Sequence, residues 1–336
     1  STRKESSAAS DVYKRQRFNR SALGPWLGVR WWRVAAGVAC GAAAAVKWNA
    51  LFSIAALGVL AVLWDMNARR VAGVRRWFTG TLLKDGPWGF LTMIGVGLVT
   101  YVLTWSRWLL TSTGYDRNWA ELNPGQGPQW LPSALRSLWE YHVAAYSFHT
   151  GLDSHHTYMA GPASWLFMQR PTSYYYESPS AGTDGCTVDS CSQAILNLGN
   201  PAIWWVGVLA LAFGIWLWAV RRDWRFGALV GIYAAGYLPW FLYPERTMFF
   251  FYALSYFPAL VLLITGAIGV LTGRLAVPRG GATAGTPEAA TDERVVSARW
   301  ARRWCTVTFV FLVLVVALAV FFWPVWTAQT LSLIHI

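Results

Sequence analysis

The stretch VAAGVACGAAAAVKWNALFSIAALGVLAVLW, residues 34–64, decides what kind of chain this is. Two apolar runs, 34–46 and 51–64, flank Lys47-Trp48-Asn49. A membrane-crossing helix needs about 20 apolar residues, and neither run supplies them alone. The pattern therefore admits one long helix or two short helices meeting at an interfacial turn. Charge chooses between them. Residues 1–33 carry eight Lys/Arg and two acids, and residues 65–86 carry five and two. Both flanks then lie on the cytoplasmic side by the positive-inside rule, so an even number of crossings separates them. We read two short helices, with Lys47 snorkelling and Trp48 at home in the outer interfacial belt.

The same logic extends outward. The chain of 336 residues is 55% hydrophobic and only 13% charged, against about 25% charged in soluble domains. The net charge of +12 sits in short Arg/Lys segments between apolar runs, as topology signals do, so no nucleic-acid partner is expected. Further spans are expected at 88–105, 202–220, 226–243, 247–272 and 305–326. They make an all-α polytopic membrane protein of about seven crossings, starting inside and ending outside. In domain terms the expectation is a cytoplasmic segment 1–33, three membrane helices over 34–109, an external loop 110–201 and four membrane helices over 202–327. A Gly/Ala/Thr/Pro-rich cytoplasmic linker lies within 274–303. Residues 1–16 and the tail 328–336 differ in composition from the body and read as non-native additions, and the whole reads as a fragment.

Residues 110–201 carry seven acids and three arginines, which suits an external position. Apolar or aromatic residues at 131, 134, 135, 138, 139, 142 and 146 have helical spacing with one wet face. This predicts a helix over 131–149 lying along the membrane surface, with Pro132 in its first turn. Residues 151–201 are too rich in Gly, Pro and Ser for long helices and read as turns and short extended pieces.

Several side chains carry candidate chemistry. Cys186 and Cys191 lie in a small loop facing an oxidising compartment and read as a disulfide. A metal reading would recruit His155 and His156, but adjacent residues point apart and no second Cys/His pair has ligand spacing, so no metal is expected. His142 and His149 share a helix face, either packed at the interface or touching substrate. Arg246 opens the expected span 247–272. It is either a snorkelling anchor paired with Glu245 or a guanidinium that holds a lipid phosphate by bidentate hydrogen bonds, aided by the helix N-terminus beside it. Lys47 is a second candidate cation. Among the external acids only Glu177, behind three tyrosines, has a structured context, and hydrogen bonding suits it better than catalysis.

These residues resemble a known family. Trp139-x-Tyr141-His142, Phe148-His149, His156-x-Tyr158-x-Ala160-x-Pro162-x-x-Trp165, Arg170-Pro171 and Tyr174-Tyr175-Tyr176-Glu177 resemble the external loop of protein O-mannosyltransferases. So do Lys47-Trp48 and the run Pro239-Trp240-Phe241-Leu242-Tyr243-x-x-Arg246-Thr247. The actinobacterial, polyprenyl-phosphate-mannose-dependent branch is the nearest in kind. Ala160 departs from the Ser expected in the His-x-Tyr-x-Ser-x-Pro run. The resemblance implies a GT-C-type fold and inverting transfer of mannose from a polyprenyl phosphate to Ser/Thr of secreted proteins. The partners it implies are membrane lipid, the lipid-linked donor, a secreted acceptor and the secretion translocon, with no cofactor. The place it implies is a bacterial cell membrane. Arg246, Lys47, Trp48, His156, Tyr158, Tyr176 and Glu177 then become substrate-binding residues. The family's catalytic Asp-Glu pair belongs to an earlier external loop, so the general base is expected outside this segment, which would be inactive alone. Two other expectations stand beside this one: a GT-C enzyme using a different polyprenyl-linked sugar, and a transporter or other non-catalytic membrane protein.

Overall fold

A computed structural model describes residues 22–277 and 297–332. Most of the expected linker, and the presumed foreign residues 1–16 and 333–336, lie outside the described residues. The chain divides into two units, one ending at His149 and one beginning at Thr150. Residues 110–201, expected to form one external loop, are thus shared between two units.

The first unit is built on three helices, α1 (Trp31–Val46), α2 (Ala50–Val71) and α3 (Trp77–Thr104). The helix breaks where the Lys-Trp turn was expected. Lys47 is extended (φ −157°, ψ 129°), and its carbonyl accepts from Ala50 N at 3.0 Å. α2 is longer than its apolar core, because the helix runs on through Asp65 and Arg69. α3 contains two π turns, Thr81–Asp85 and Leu91–Gly95. Pro87 lies between them, and its missing N–H opens the helical ladder there.

α1 and α3 run side by side in the same direction, and glycine sets their distance. A Cβ on Gly37 would lie 2.2 Å from the Thr92 carbonyl oxygen, and one on Gly41 2.2 Å from that of Gly97. In lipid, such small residues let backbones approach where no hydrophobic force draws helices together. Gly41→Val should therefore cost about 3 kcal/mol by overpacking, read as a lowered melting temperature in detergent. Gly58→Val, where no atom lies within 4 Å of the new Cβ, should leave it unchanged.

At one end of this bundle the start of α1, the end of α2 and the start of α3 meet. Asp65 accepts from Arg30 and, at 2.7 Å, from Arg33. Arg69 forks onto Asp85, Nε at 2.6 Å and Nη2 at 2.9 Å, and donates to the Leu23 and Pro25 carbonyls. Asp65, Arg69 and Asp85 are all buried. α2 is therefore antiparallel to α1, and both charged flanks lie at the same end.

The second unit packs α5 (Pro201–Arg221), α6 (Trp224–Tyr237) and α7 (Phe257–Leu271) around Leu217, Phe226, Leu260 and Leu263. Asn200 caps α5 by accepting from Ala202 N and Ile203 N. Asp223, fully buried, caps α6 and is forked by Arg225. α8 (Ala298–Trp326) flanks α5 and is held by Asn200 Nδ2 donating to the Val315 carbonyl at 2.8 Å.

Two expected spans are shorter than the sequence reading. α6 stops at Tyr237 and continues as a 3-10 turn, Leu238–Leu242, because Pro239 cannot donate and disfavours helix at the residue before it. The span expected from residue 247 starts as a 3-10 turn, Phe250–Ser255. α7 begins only at Phe257, with Pro258 in its first turn. Among the described residues four helices are long and apolar enough to cross a membrane: α2, α3, α5 and α8. α1 and α7 are apolar but shorter.

Over the second unit lie β1 (Ser173–Glu177) and β2 (Cys191–Leu196), antiparallel, with Tyr176 opposite Ala194 and Glu177 opposite Gln193. The short β3 (Leu331–Ser332), within the tail read as foreign, pairs with Cys191 and Ser192 of β2.

Candidate functional site

Candidate residues collect at two places, one in each unit. In the first unit the place is the Lys47-Trp48 turn. Helix α4 (Ser133–Thr150) brings His142 to it. Pro132 lies just before this helix rather than inside it, its carbonyl accepting from Leu135 N. His142 stacks on Trp48, ring centroids 5.2 Å apart and planes within 7°. Trp48 Nε1 donates to the Tyr101 hydroxyl at 3.1 Å, and that hydroxyl lies 2.5 Å from His142 Nε2. His142 Nδ1 is 2.5 Å from the Leu138 carbonyl, which can only accept. Nδ1 therefore carries the proton, Nε2 accepts, and the Tyr101 O–H donates to it. The whole chain of donors has one direction, indole to phenol to imidazole to backbone. Trp105 completes the cluster, 5.1 Å from His142 and 5.0 Å from Tyr141.

An apolar crevice between α2 and α3 descends from this cluster. Its upper section, about 350 Å³, is lined by Trp48, Leu51, Leu98, Tyr101 and His142, with Gly41 and Ala44 of α1 among the small residues of its wall. Ile54, Met93 and Ile94 also line a lower section of about 420 Å³, which reaches Arg33, Asp65 and Asp85. The crevice is thus polar at its two ends and hydrocarbon-like between them. Tyr101→Phe should free the Trp48 N–H and the His142 acceptor together. A lost partner for a half-buried polar group costs about 1–3 kcal/mol, and faster hydrogen exchange in α4 than in wild type would report it.

In the second unit the place is the turn between α6 and α7. Arg246 is half-buried, its guanidinium 5.7 Å from the Trp240 ring and 5.5 Å from that of Tyr252. Stacking on ring faces suits guanidinium, which is weakly hydrated. The helix N-terminus expected beside Arg246 is absent: α7 starts at Phe257, so the aromatic floor, not a helix dipole, sets this cation. The following residues bind the loop. Thr247 N donates to the Leu152 carbonyl at 2.9 Å, Thr247 Oγ1 donates to that of Ser154, and Ala160 N donates to that of Met248 at 2.8 Å. His156 is brought edge-on to Phe249 at 5.1 Å, and its Nδ1 accepts from Tyr158 N at 3.1 Å. His156 and Tyr158 are exposed. Beneath them Trp165 is completely buried and packs edge-on to Trp240 and Tyr252.

β1 does not present Tyr176 and Glu177 together. Successive strand residues face opposite ways. Glu177 shares a face with Tyr175, and its nearby carboxylate raises the Tyr175 phenol above its ordinary value, while the Tyr175 hydroxyl donates to Gln193 Oε1 at 3.3 Å. Tyr176 is on the other face, 62% exposed. Cys186 and Cys191 form a disulfide, Cα atoms 5.9 Å apart. Lys47 is exposed beside Trp48. Among the described residues no group of three or more His, Cys, Asp or Glu could hold a metal ion. The sequence reading missed Tyr101 and Trp105. Their spacing at a span end was visible, but their partnership with His142 requires the fold.

A family profile described as the C-terminal four TMM region of protein-O-mannosyltransferase matches residues 134–332. The polyprenol-phosphate-mannose–protein mannosyltransferase of Mycolicibacterium smegmatis (strain MKD8) is 37% identical over 261 residues, 75% of this chain and 50% of the relative. The Mycobacterium tuberculosis protein of the same name is 37% identical over 252 residues, 73% and 48%. That of Corynebacterium glutamicum is 31% identical over 271 residues, 79% and 52%. The chain spans about half the length of these curated relatives. Among solved structures, the Saccharomyces cerevisiae protein O-mannosyltransferase Pmt1-Pmt2 complex bound to the sugar donor aligns with a TM-score of 0.41 and 19% identity, over 60% of this chain and 26% of that one.

Proposed function

This chain belongs to the protein-O-mannosyltransferase family, and from that premise we propose that it forms part of an enzyme moving mannose from polyprenyl-phosphate mannose to Ser/Thr hydroxyls of secreted proteins. It is a multi-pass membrane protein of apolar helices. The membrane we assign is the bacterial cell membrane, with residues 110–201 outside and a GT-C-type arrangement of about seven crossings.

The observation that carries the reading is Arg246 on its aromatic floor. A polyprenyl phosphate sugar is an anion joined to a long hydrocarbon. It needs a cation where an apolar bundle meets a polar head, and Arg246 stands between α6 and the loop that its neighbour Thr247 ties down. Bidentate N–H donors match a phosphate better than an ammonium would. Exposed His156 and Tyr158 border the same turn and supply polar and stacking surface for sugar or peptide. Tyr176 is open to an acceptor, whereas Glu177 lies on the other face of β1. The general base comes from elsewhere in the full-length protein, and no cofactor is invoked. The acceptor arrives extended, as from a secretion translocon.

The experiment is competition. In membranes holding the full-length protein, polyprenyl phosphates bearing mannose or another hexose are offered as inhibitors of photolabelling by a photoreactive polyprenyl phosphate. Preference for the mannose form supports the reading. A preference for another sugar would move the chain to a different donor, and no labelling at all would remove the lipid-phosphate role.

A further inference from the structure

The end of the first unit away from Trp48 carries a charge excess that the transfer reaction does not use. Residues 22–34 and 65–88 hold seven Lys/Arg and two acids. Both acids are buried and already engaged: Asp65 by Arg30 and Arg33 together, Asp85 by Arg69. Lys84 donates to the Gly24 carbonyl at 2.5 Å, which leaves its charge uncompensated. Arg70, in the last turn of α2, and Arg75 and Arg76, on the turn after it, are exposed. Five positive charges therefore stand in excess at one end of a helix bundle with apolar walls.

The surroundings are those of a lipid headgroup layer. Trp31 and Trp32 are 76% and 89% exposed, and Trp26, 55% exposed, leans on Trp88 with ring centroids 5.9 Å apart. Indoles are at home at the membrane–water interface. Arg33 lines two spaces at once. One is a small polar hollow shared with Arg30, Lys84 and Trp88; the other is the lower apolar section of the crevice, alongside Val62 and Phe90. Cation and hydrocarbon slot adjoin at a single residue.

We propose that this end binds an anionic phospholipid, its phosphate on Arg30 and Arg33 and one acyl chain in the lower crevice. Two guanidiniums sharing one carboxylate keep N–H donors for a second anion. A zwitterionic lipid brings the same phosphate with a compensating ammonium, so the excess charge selects the anionic one. The site is separate from Arg246 and does not depend on the transfer reading.

The test is native mass spectrometry of the full chain, purified in detergent and mixed with phosphatidylglycerol and phosphatidylcholine of matched chains. Phosphatidylglycerol should be retained preferentially. Arg30→Gln, which leaves Asp65 paired with Arg33, should lower that preference about fivefold, the effect of one cation near an anionic surface. Arg30→Lys should restore most of it. Val62→Trp should lower retention by filling the slot without changing charge. Arg246→Ala should keep the lipid preference whatever it does to transfer. Equal retention of the two lipids by wild type would overturn the proposal. So would an unchanged preference in a folded Arg30→Gln protein, or displacement of phosphatidylglycerol by excess inorganic phosphate alone, which would leave the slot no part.

Discussion

Arg246→Ala in the full-length enzyme should lower kcat/KM for polyprenyl-phosphate mannose about a hundredfold while leaving the melting temperature close to wild type. The guanidinium stacks on Trp240 and Tyr252. Removing one partner of a desolvated, hydrogen-bonded charge pair costs about 2–5 kcal/mol, and about 2.7 kcal/mol, in the lower part of that range, corresponds to the stated factor. Arg246→Lys keeps the charge and loses the planar fork and much of the stacking, so it should recover only part of the activity. Trp240→Leu should move Arg246 without removing it, raising KM more than it lowers kcat. Equal activity of wild type and Arg246→Ala would remove this residue from donor binding.

The largest effect on stability is expected at Asp85. Its carboxylate is buried and takes two bonds from Arg69, itself buried and tied to the Leu23 and Pro25 carbonyls. Asp85→Ala leaves that guanidinium in a dry site without its counter-charge. Breaking a buried pair by removing one partner costs about 3–5 kcal/mol, a large share of the 5–15 kcal/mol that holds a typical domain. The first unit should melt well below the second, read as two transitions in detergent. The double change Asp85→Leu with Arg69→Met should recover much of the loss, because it removes both charges and keeps the volume. A single unshifted transition in Asp85→Ala would show that the pair is not what holds the three helix ends together.

Much of the helical plan was legible because lipid imposes a simple grammar: apolar runs, basic flanks and interfacial aromatics. The break at Lys47 shows this well. Two short runs and two basic flanks sufficed to place it, and the chain turns there. What escaped the sequence reading depends on tertiary contacts. Asp65 and Arg69 have the spacing of a helical ion pair, yet each pairs elsewhere, because α1 and α3 present better-placed partners. Proline moved the ends of α6 and α7, and with them the helix terminus that had seemed to support Arg246. The loop read as one platform contains His142 and His156, but the fold gives each to a different unit. Tyr176 and Glu177 are adjacent in sequence and opposed in space, which strand alternation alone would have indicated once β1 was recognised. The Cys186–Cys191 loop needed no fold to be read, since the two sulfurs are bound to be near each other.

A single assay decides whether this chain handles a mannose carried on a polyprenyl phosphate. Membranes containing the full-length protein are incubated with a Ser/Thr acceptor peptide and either polyprenyl-phosphate mannose or a nucleotide-linked mannose, with lipid-donor synthesis blocked. Mannosylated peptide is expected from the lipid-linked donor alone, and its loss in Arg246→Ala. Transfer from the nucleotide sugar under the same block, or no mannosyl peptide from the polyprenyl donor in a folded protein, would contradict it.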